Sequence, residues 1–180
     1  EEGQSTSAIW AVRSLGIDPE TGDELFLNRK GEKTYEWNIN DQVVCGESNP
    51  KFQGNFGFNT EYMGFSLNCS FSYKVGGDYY NQTLVDRVEN VDIQYNLDRR
   101  VFSGTWKNPG DVTFFKRITE TPTTTRPTDR FVERQNELSL ASLNLGYDFK
   151  HLNISKFAER LKLAFYMTDV FRVSSVKTER

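Results

Sequence analysis

Residues 52–75 alternate between two faces with a period of two. From Phe52 to Tyr62 the even positions are Phe52, Gly54, Phe56, Phe58, Thr60 and Tyr62, and the odd ones are Gln53, Asn55, Gly57, Asn59 and Glu61. From Phe65 to Val75 the parity inverts: Phe65, Leu67, Cys69, Phe71, Tyr73 and Val75 are odd, and Ser66, Asn68, Ser70, Ser72 and Lys74 are even. This alternation predicts two antiparallel strands, each with one apolar and one polar face. The inversion is what a two-residue turn at Met63-Gly64 requires. It sets Tyr62 opposite Phe65, Phe56 opposite Phe71, Phe58 opposite Cys69 and Thr60 opposite Leu67. Gly54 falls under Tyr73, whose ring then covers it.

The end of the chain repeats the pattern. Leu143, Leu145, Tyr147 and Phe149 alternate with Ser142, Asn144, Gly146 and Asp148. After a link of about ten residues holding His151, the residues Leu161, Leu163, Phe165 and Met167 alternate with Lys162, Ala164, Tyr166 and Thr168. Leu138 and Leu140 are out of phase with Leu143. Either a bulge near Ala141 intervenes, or the upper part of the strand turns these leucines to the other face.

Between these hairpins lie long polar segments. Residues 5–49 are rich in turns: Ala8–Val12 predicts a short strand, Gly16-Ile17-Asp18-Pro19-Glu20-Thr21-Gly22 is dense turn chemistry, and Leu25–Leu27 and Lys33–Trp37 flank Asn28–Gly31 as a small hairpin. In residues 76–136, Gly76-Gly77-Asp78 predicts the end of the preceding strand. Leu84, Val88, Val91 and Tyr95 lie at helical spacing within 81–100, with Arg87 and Glu89 on the solvated side. Trp106–Asp111 reads as a turn, and 119–129, with Pro122, Pro127 and several threonines, as irregular.

Two surroundings suit the apolar faces: the core of a soluble sandwich, or lipid. Eleven residues at ~3.3 Å each span roughly 36 Å, or about 25 Å when tilted by about 45°, the height of the apolar band of an outer-membrane barrel. Aromatic residues sit at both ends of the first hairpin, as interfacial girdles would. The connections alternate long, very short, long and short, which is also an outer-membrane pattern. The fold class expected is all-β, part of a large antiparallel transmembrane β-barrel with about four barrel strands. Its long extracellular loops would carry short strands and one helix. Residues 5–49 and 76–136 are the expected outer loops, 52–75 and 137–173 the transmembrane hairpins, and 174–180 the start of another outer loop, all within one domain, 1–180. Phe56, Phe58, Leu67, Phe71, Leu143, Leu145, Leu163 and Phe165 would face lipid.

Composition changes little in this picture. A net charge of −3 gives no nucleic-acid footprint. The mean hydropathy of −0.63, with no run near the ~20 apolar residues of a membrane helix, leaves strands as the means of crossing. Cys69 is expected as a packed free thiol and Cys45 lies in a connecting segment. The acids Asp18, Glu20, Asp23 and Glu24 do not follow calcium-loop spacing. With His151 the sole histidine, neither a metal centre nor a Ser-His-Asp set can be built, so no catalytic residue, metal or cofactor is expected. The chain is read as no enzyme. Tyr79, Tyr80 and Trp106 are candidates for stacking on a sugar or peptide substrate, or else loop-packing aromatics.

The ordered set of motifs resembles the SusC/RagA-type TonB-linked outer-membrane transporters. The residues concerned are Ala8-Ile9-Trp10 with Gly16–Gly22, Gly76–Asn81, Trp106–Asp111, Arg130–Glu133 with Leu138–Tyr147, and Phe165–Phe171, where Asp169 stands in place of the usual Asn. The resemblance implies the C-terminal part of a plugged barrel in the bacterial outer membrane. It also implies import of a glycan, peptide or other nutrient beneath a SusD-like surface lipoprotein, with energy from the TonB complex acting on N-terminal parts absent here. The alternative is a secreted β-rich glycan-binding domain, in which Phe56, Phe58, Phe71 and Phe165 would be buried between sheets.

Overall fold

The computed structural model describes residues 3–92, 94, 96–119, 124–149 and 161–176. Tyr95, Pro122, His151 and the link at 150–159 therefore lie outside the described residues. Among the described residues there are eight strands: β1 (Ala8–Ile17), β2 (Glu24–Leu27), β3 (Lys33–Thr34), β4 (Gln42–Glu47), β5 (Phe52–Tyr62), β6 (Phe65–Tyr80), β7 (Val132–Asp148) and β8 (Lys162–Ser174). The described residues between β6 and β7 include the short helices α1 (Gln82–Leu84) and α2 (Arg99–Gly104). The strands form two antiparallel sheets, ordered β3-β2-β1-β4 and β5-β6-β7-β8. The chain divides into two compact units, one of Glu1–Asn49, Gly77–Arg134 and Val176–Arg180, the other of Pro50–Gly76 and Gln135–Ser175.

The second unit is built on the β5–β6 hairpin, whose register is the expected one from Phe52↔Val75 to Tyr62↔Phe65. Met63 and Gly64 both adopt positive φ, 46° and 89°, which is the twist a two-residue hairpin turn needs. The turn is pinned by a hydrogen bond from the Asp148 N–H to the Gly64 carbonyl at 2.8 Å. Phe56 stacks on Phe71 with ring centroids 5.0 Å apart, and Tyr73 covers Gly54, where a Cβ would come within 2.9 Å of its hydroxyl. Cys69 is buried, and both cysteines are free. In β7–β8 the register shifts between Leu140 and Ser142, and Asp169 across from it takes a φ of 48°. Ser139 shares a hydrogen bond with Ser72 at 2.7 Å, so it sits on the polar side of β6. Leu138 and Leu140 then project with Phe71, and the irregularity at Ala141 returns Leu143 and Leu145 to that same face, the first of the two expected arrangements.

The first unit centres on β1, which is twice the length of the expected strand. It changes partner along its length: Ala8–Val12 pairs with β4 and Arg13–Ile17 with β2. At the changeover the Val12 N–H donates to the Pro127 carbonyl and the Ser14 N–H to the Asp129 carboxylate. The small hairpin expected at 25–37 is present as β2–β3. Beyond it, Leu84, Val85, Val88, Val101, Phe115 and Phe131 form a buried core, with Tyr80, Val91, Leu97 and Phe114 against it. Each large side chain so buried contributes about 1.5–3 kcal/mol.

The structure corrects the expected fold class. The four-stranded β5-β6-β7-β8 arrangement is an open antiparallel sheet, not a piece of a closed transmembrane β-barrel, and no closure or barrel curvature appears among the described residues. Its outer strands β5 and β8 each have a single neighbour. Four strands cannot return on themselves, since about eight are needed even for a barrel just wide enough to be filled by side chains. The architecture is mostly antiparallel sheet with some helix. No described helix is long and apolar enough to cross a membrane, which says nothing about strands.

Three local expectations also change. β6 does not end at Gly76-Gly77-Asp78 but runs to Tyr80, because Asn136 of β7 accepts from the Gly76 N–H at 2.9 Å and the Gly76 φ of 84° suits only glycine. The single helix expected over 81–100 is a short one. Asn81 caps α1, the turns widen to π geometry over Val85–Glu89, and Asn90 ends them at φ −98° and ψ 55°. Glu89, expected in solvent, is buried.

Candidate functional site

Two features stand out: the apolar face of the second unit and a buried charge cluster in the first. On the apolar face, Phe56, Phe58, Leu145, Leu163 and Phe165 are exposed, while Leu67, Phe71 and Leu143 are half-buried by their neighbours. Phe52, Tyr62 and Phe65 extend the exposed apolar surface. Beside the turn a trough of about 580 Å³ runs between Tyr62, Phe65 and Leu67 on one side and Leu163 and Phe165 on the other, over Gly146. So large a contiguous apolar surface on an antiparallel sheet marks a face that meets lipid or protein.

The charge cluster joins three segments that are distant in sequence. The Arg130 guanidinium donates to Glu24 through Nε at 3.1 Å and Nη2 at 2.8 Å, and to Glu89 through Nη2 at 2.5 Å and Nη1 at 3.4 Å. Nη1 also donates to the Phe114 carbonyl. The side chains of Arg130, Glu24 and Glu89 are 5%, 6% and 0% exposed. The guanidinium lies over the ring of Phe131 at 4.5 Å and that of Phe114 at 5.3 Å. Burial works against its charge, but Glu89 and then Glu24 outweigh burial and hold its pKa above the ordinary arginine value. Lys116 is next to the cluster. Its N–H donates to Glu89 and its ammonium to Thr125, and burial, the largest effect, lowers its pKa. This arrangement ties β2, the π-turn and the 114–131 segment together; it has no acid–base pair open to a substrate.

The aromatic candidates do not converge. Tyr79 is exposed, whereas Tyr80 is half-buried, packs edge-on to Phe131 at 6.2 Å and has its phenol pKa raised by burial. Trp106 donates its indole N–H to the Pro19 carbonyl at 2.9 Å and lies against Gly22, whose φ of 73° and lack of a Cβ leave room for the ring. Among the described residues no group of three or more His, Cys, Asp or Glu could hold a metal ion. Sequence reasoning passed over the Arg130 cluster and the surroundings of Trp10. Periodicity carries no sign of pairs 41 and 106 residues apart.

No family model matches the chain. Over 156 residues it is 28% identical to TonB-dependent receptor P39 of Formosa agariphila, covering 83% of this chain and 15% of that receptor. Its fold is similar to part of the RagAB peptide transporter, with a TM-score of 0.73, 19% identity, and 93% of this chain but 19% of the other covered. The RagAB peptide importer in its open-open state gives a TM-score of 0.69 at 20% identity, covering 92% and 19%. The chain thus spans less than a fifth of the length of these proteins. The sequence similarity is to a TonB-dependent receptor, and the likeness to the RagAB structures is one of fold. The expected description as barrel and transmembrane strands is replaced by two open sheets.

Proposed function

We propose that the chain is part of a TonB-dependent outer-membrane transporter that imports a glycan, peptide or other nutrient together with a SusD-like surface lipoprotein, powered by the TonB complex. The observation that carries this reading is the 28% identity to a TonB-dependent receptor over 156 residues. The fold likeness to the RagAB peptide transporter supports it. In this reading Phe56, Phe58, Leu67, Phe71, Leu143, Leu145, Leu163 and Phe165 meet outer-membrane lipid. The exposure of Phe56, Phe58, Leu145, Leu163 and Phe165 on one face supports that contact, since covering apolar surface contributes about 25 cal/mol per Å². The free edges of β5 and β8 are then covered by other parts of the assembly. Residues 5–49 and 76–136 lie on the extracellular side, and Tyr79, exposed at the end of β6, is the substrate-stacking candidate least engaged in packing.

The test is purification of the tagged whole protein from its own cells. Recovery in the outer-membrane fraction, release by detergent only, and co-elution of a lipidated surface protein are expected. Recovery as a soluble monomer without detergent would overturn the reading in favour of the secreted glycan-binding domain.

A further inference from the structure

Lys116, Thr125 and Asn90 form a chain of hydrogen bonds in the first unit. The Lys116 amino group donates to Thr125 Oγ1 at 2.7 Å, and Thr125 Oγ1 donates to Asn90 Oδ1 at 2.8 Å. The Thr125 N–H donates to the same Oδ1 at 2.9 Å. The carboxamide oxygen of Asn90 therefore faces two donors, and a single hydroxyl separates it from the amine. The backbone holds the partners in place. Asn90 ends the π-turn, where its N–H donates to the Val85 carbonyl at 2.8 Å. The Lys116 N–H donates to the buried Glu89 carboxylate at 3.3 Å, and Arg130 anchors Glu89 in turn. Lys116, Thr125 and Asn90 are all half-buried.

We propose that Lys116 and Asn90 react with one another to form an isopeptide bond, a covalent cross-link within the first unit. The arrangement has the parts of an acyl-transfer site: a nucleophile, a carbonyl carbon and two donors on the carbonyl oxygen. As Nζ attacks Cγ, negative charge gathers on Oδ1, where the Thr125 N–H and hydroxyl already point. The Nζ–Cγ bond forms and the Cγ–Nδ2 bond breaks. A proton of the amine passes through the Thr125 hydroxyl to Nδ2, which leaves as ammonia, so no oxidant or further reactant is needed. Only the neutral amine attacks. Burial is the largest influence on the Lys116 pKa and lowers it, against the pull of Glu89, Glu24 and Asp23 and with the help of Arg130. Holding amine and amide on one hydroxyl supplies the proximity that this reaction, slow between free molecules, requires. The bond needs neither membrane nor substrate, so it stands or falls separately from the transport function.

The experiment is tryptic digestion and mass spectrometry of the whole purified protein. The cross-link joins peptide 88–99, which holds Asn90, to peptide 108–117, in which trypsin no longer cuts after Lys116. The expected product has the summed mass of the two peptides less one ammonia, and it accumulates while the folded protein is held in mildly alkaline buffer. Lys116→Arg and Asn90→Ala are expected to abolish it. Thr125→Val keeps the N–H but removes the hydroxyl, and is expected to slow its appearance at least about tenfold. The wild-type digest decides the question whether or not a variant folds. Recovery of the two peptides in unlinked form only would overturn the assignment and leave the three residues as a hydrogen-bond network. Cross-linking at an unchanged rate in Thr125→Val would overturn the mechanism.

Discussion

Substituting Arg130 by Met tests whether the buried cluster holds the first unit together. The change removes four charge-assisted hydrogen bonds to Glu24 and Glu89 and one to the Phe114 carbonyl. It leaves two carboxylates, 6% and 0% exposed, without their cation. Breaking a buried ion pair by removing one partner costs about 3–5 kcal/mol, chiefly because the remaining charge stays buried. Two stranded carboxylates place the loss in the upper half of that range. For a chain of this size each kcal/mol lowers Tm by about 2–4 °C, so the expected fall is about 8–20 °C. Tryptophan fluorescence is the right probe, because Trp10, Trp37 and Trp106 all belong to the unit that contains the cluster. Arg117→Ala is the control. Its ion pair with Asp23 has a similar distance, 3.0 Å, but both side chains are nearly half exposed, so about 0–1 kcal/mol is expected. Combining Arg130→Met with Glu24→Gln and Glu89→Gln removes the stranded charges and should recover most of the loss. A fall no larger than that of Arg117→Ala, or no recovery in the triple variant, would refute the reasoning.

Asp98 caps α2 and is held by the Arg100 side chain first and by the Arg100 N–H second, so its carboxyl should titrate at about 2 by NMR. Because this pKa is below the unfolded value, the cap stabilises the fold above the ordinary aspartate range and the contribution fades as pH falls towards about 2. Arg100→Ala should raise the midpoint, and an unchanged midpoint would show that the guanidinium is not the cause. Met63→Asn places a residue suited to positive φ at the β5–β6 turn and should stabilise the hairpin by about 0.5–1 kcal/mol, read as roughly two- to fivefold slower hydrogen exchange at the Tyr62 and Phe65 amides. Unchanged exchange would mean that the turn is not strained. If the apolar face meets lipid, Phe71→Arg should cost about 2–4 kcal/mol in membranes and Asn55→Arg, on the other face, much less. Equal loss from both would remove the facing assignment.

The hairpin register was legible because period-two alternation and its inversion at Met63-Gly64 admit only one pairing that keeps the phenylalanines together. The same parity reading located the irregularity at Ala141, where Leu140 and Leu143 fall out of phase. Fates decided by distant partners were not legible. Gly76-Gly77 looks like a strand end until the Asn136 side chain of β7 is seen to accept from the Gly76 N–H. Glu89 has the spacing of a solvated residue, and only the arrival of Arg130 from 41 positions away makes burial affordable. Trp106 had the composition of a ligand platform, but Gly22, with no Cβ and a positive φ, gives its ring a resting place inside the unit.

Barrel closure failed as an expectation for a related reason. Alternation, strand length and end aromatics are properties of one strand and its neighbour, and they are the same in an open sheet as in a closed one. Closure depends on strand number and stagger, neither of which is written in a single hairpin. What the local pattern does determine is the chemistry of each face. The side with Phe56, Phe58, Leu145, Leu163 and Phe165 is exposed and apolar, and the side with Gln53, Asn55 and Asn68 is exposed and polar. A sheet of this kind is stable only where its two faces meet different surroundings. That asymmetry in the amino-acid pattern is what the proposed contact of the apolar face with lipid rests on.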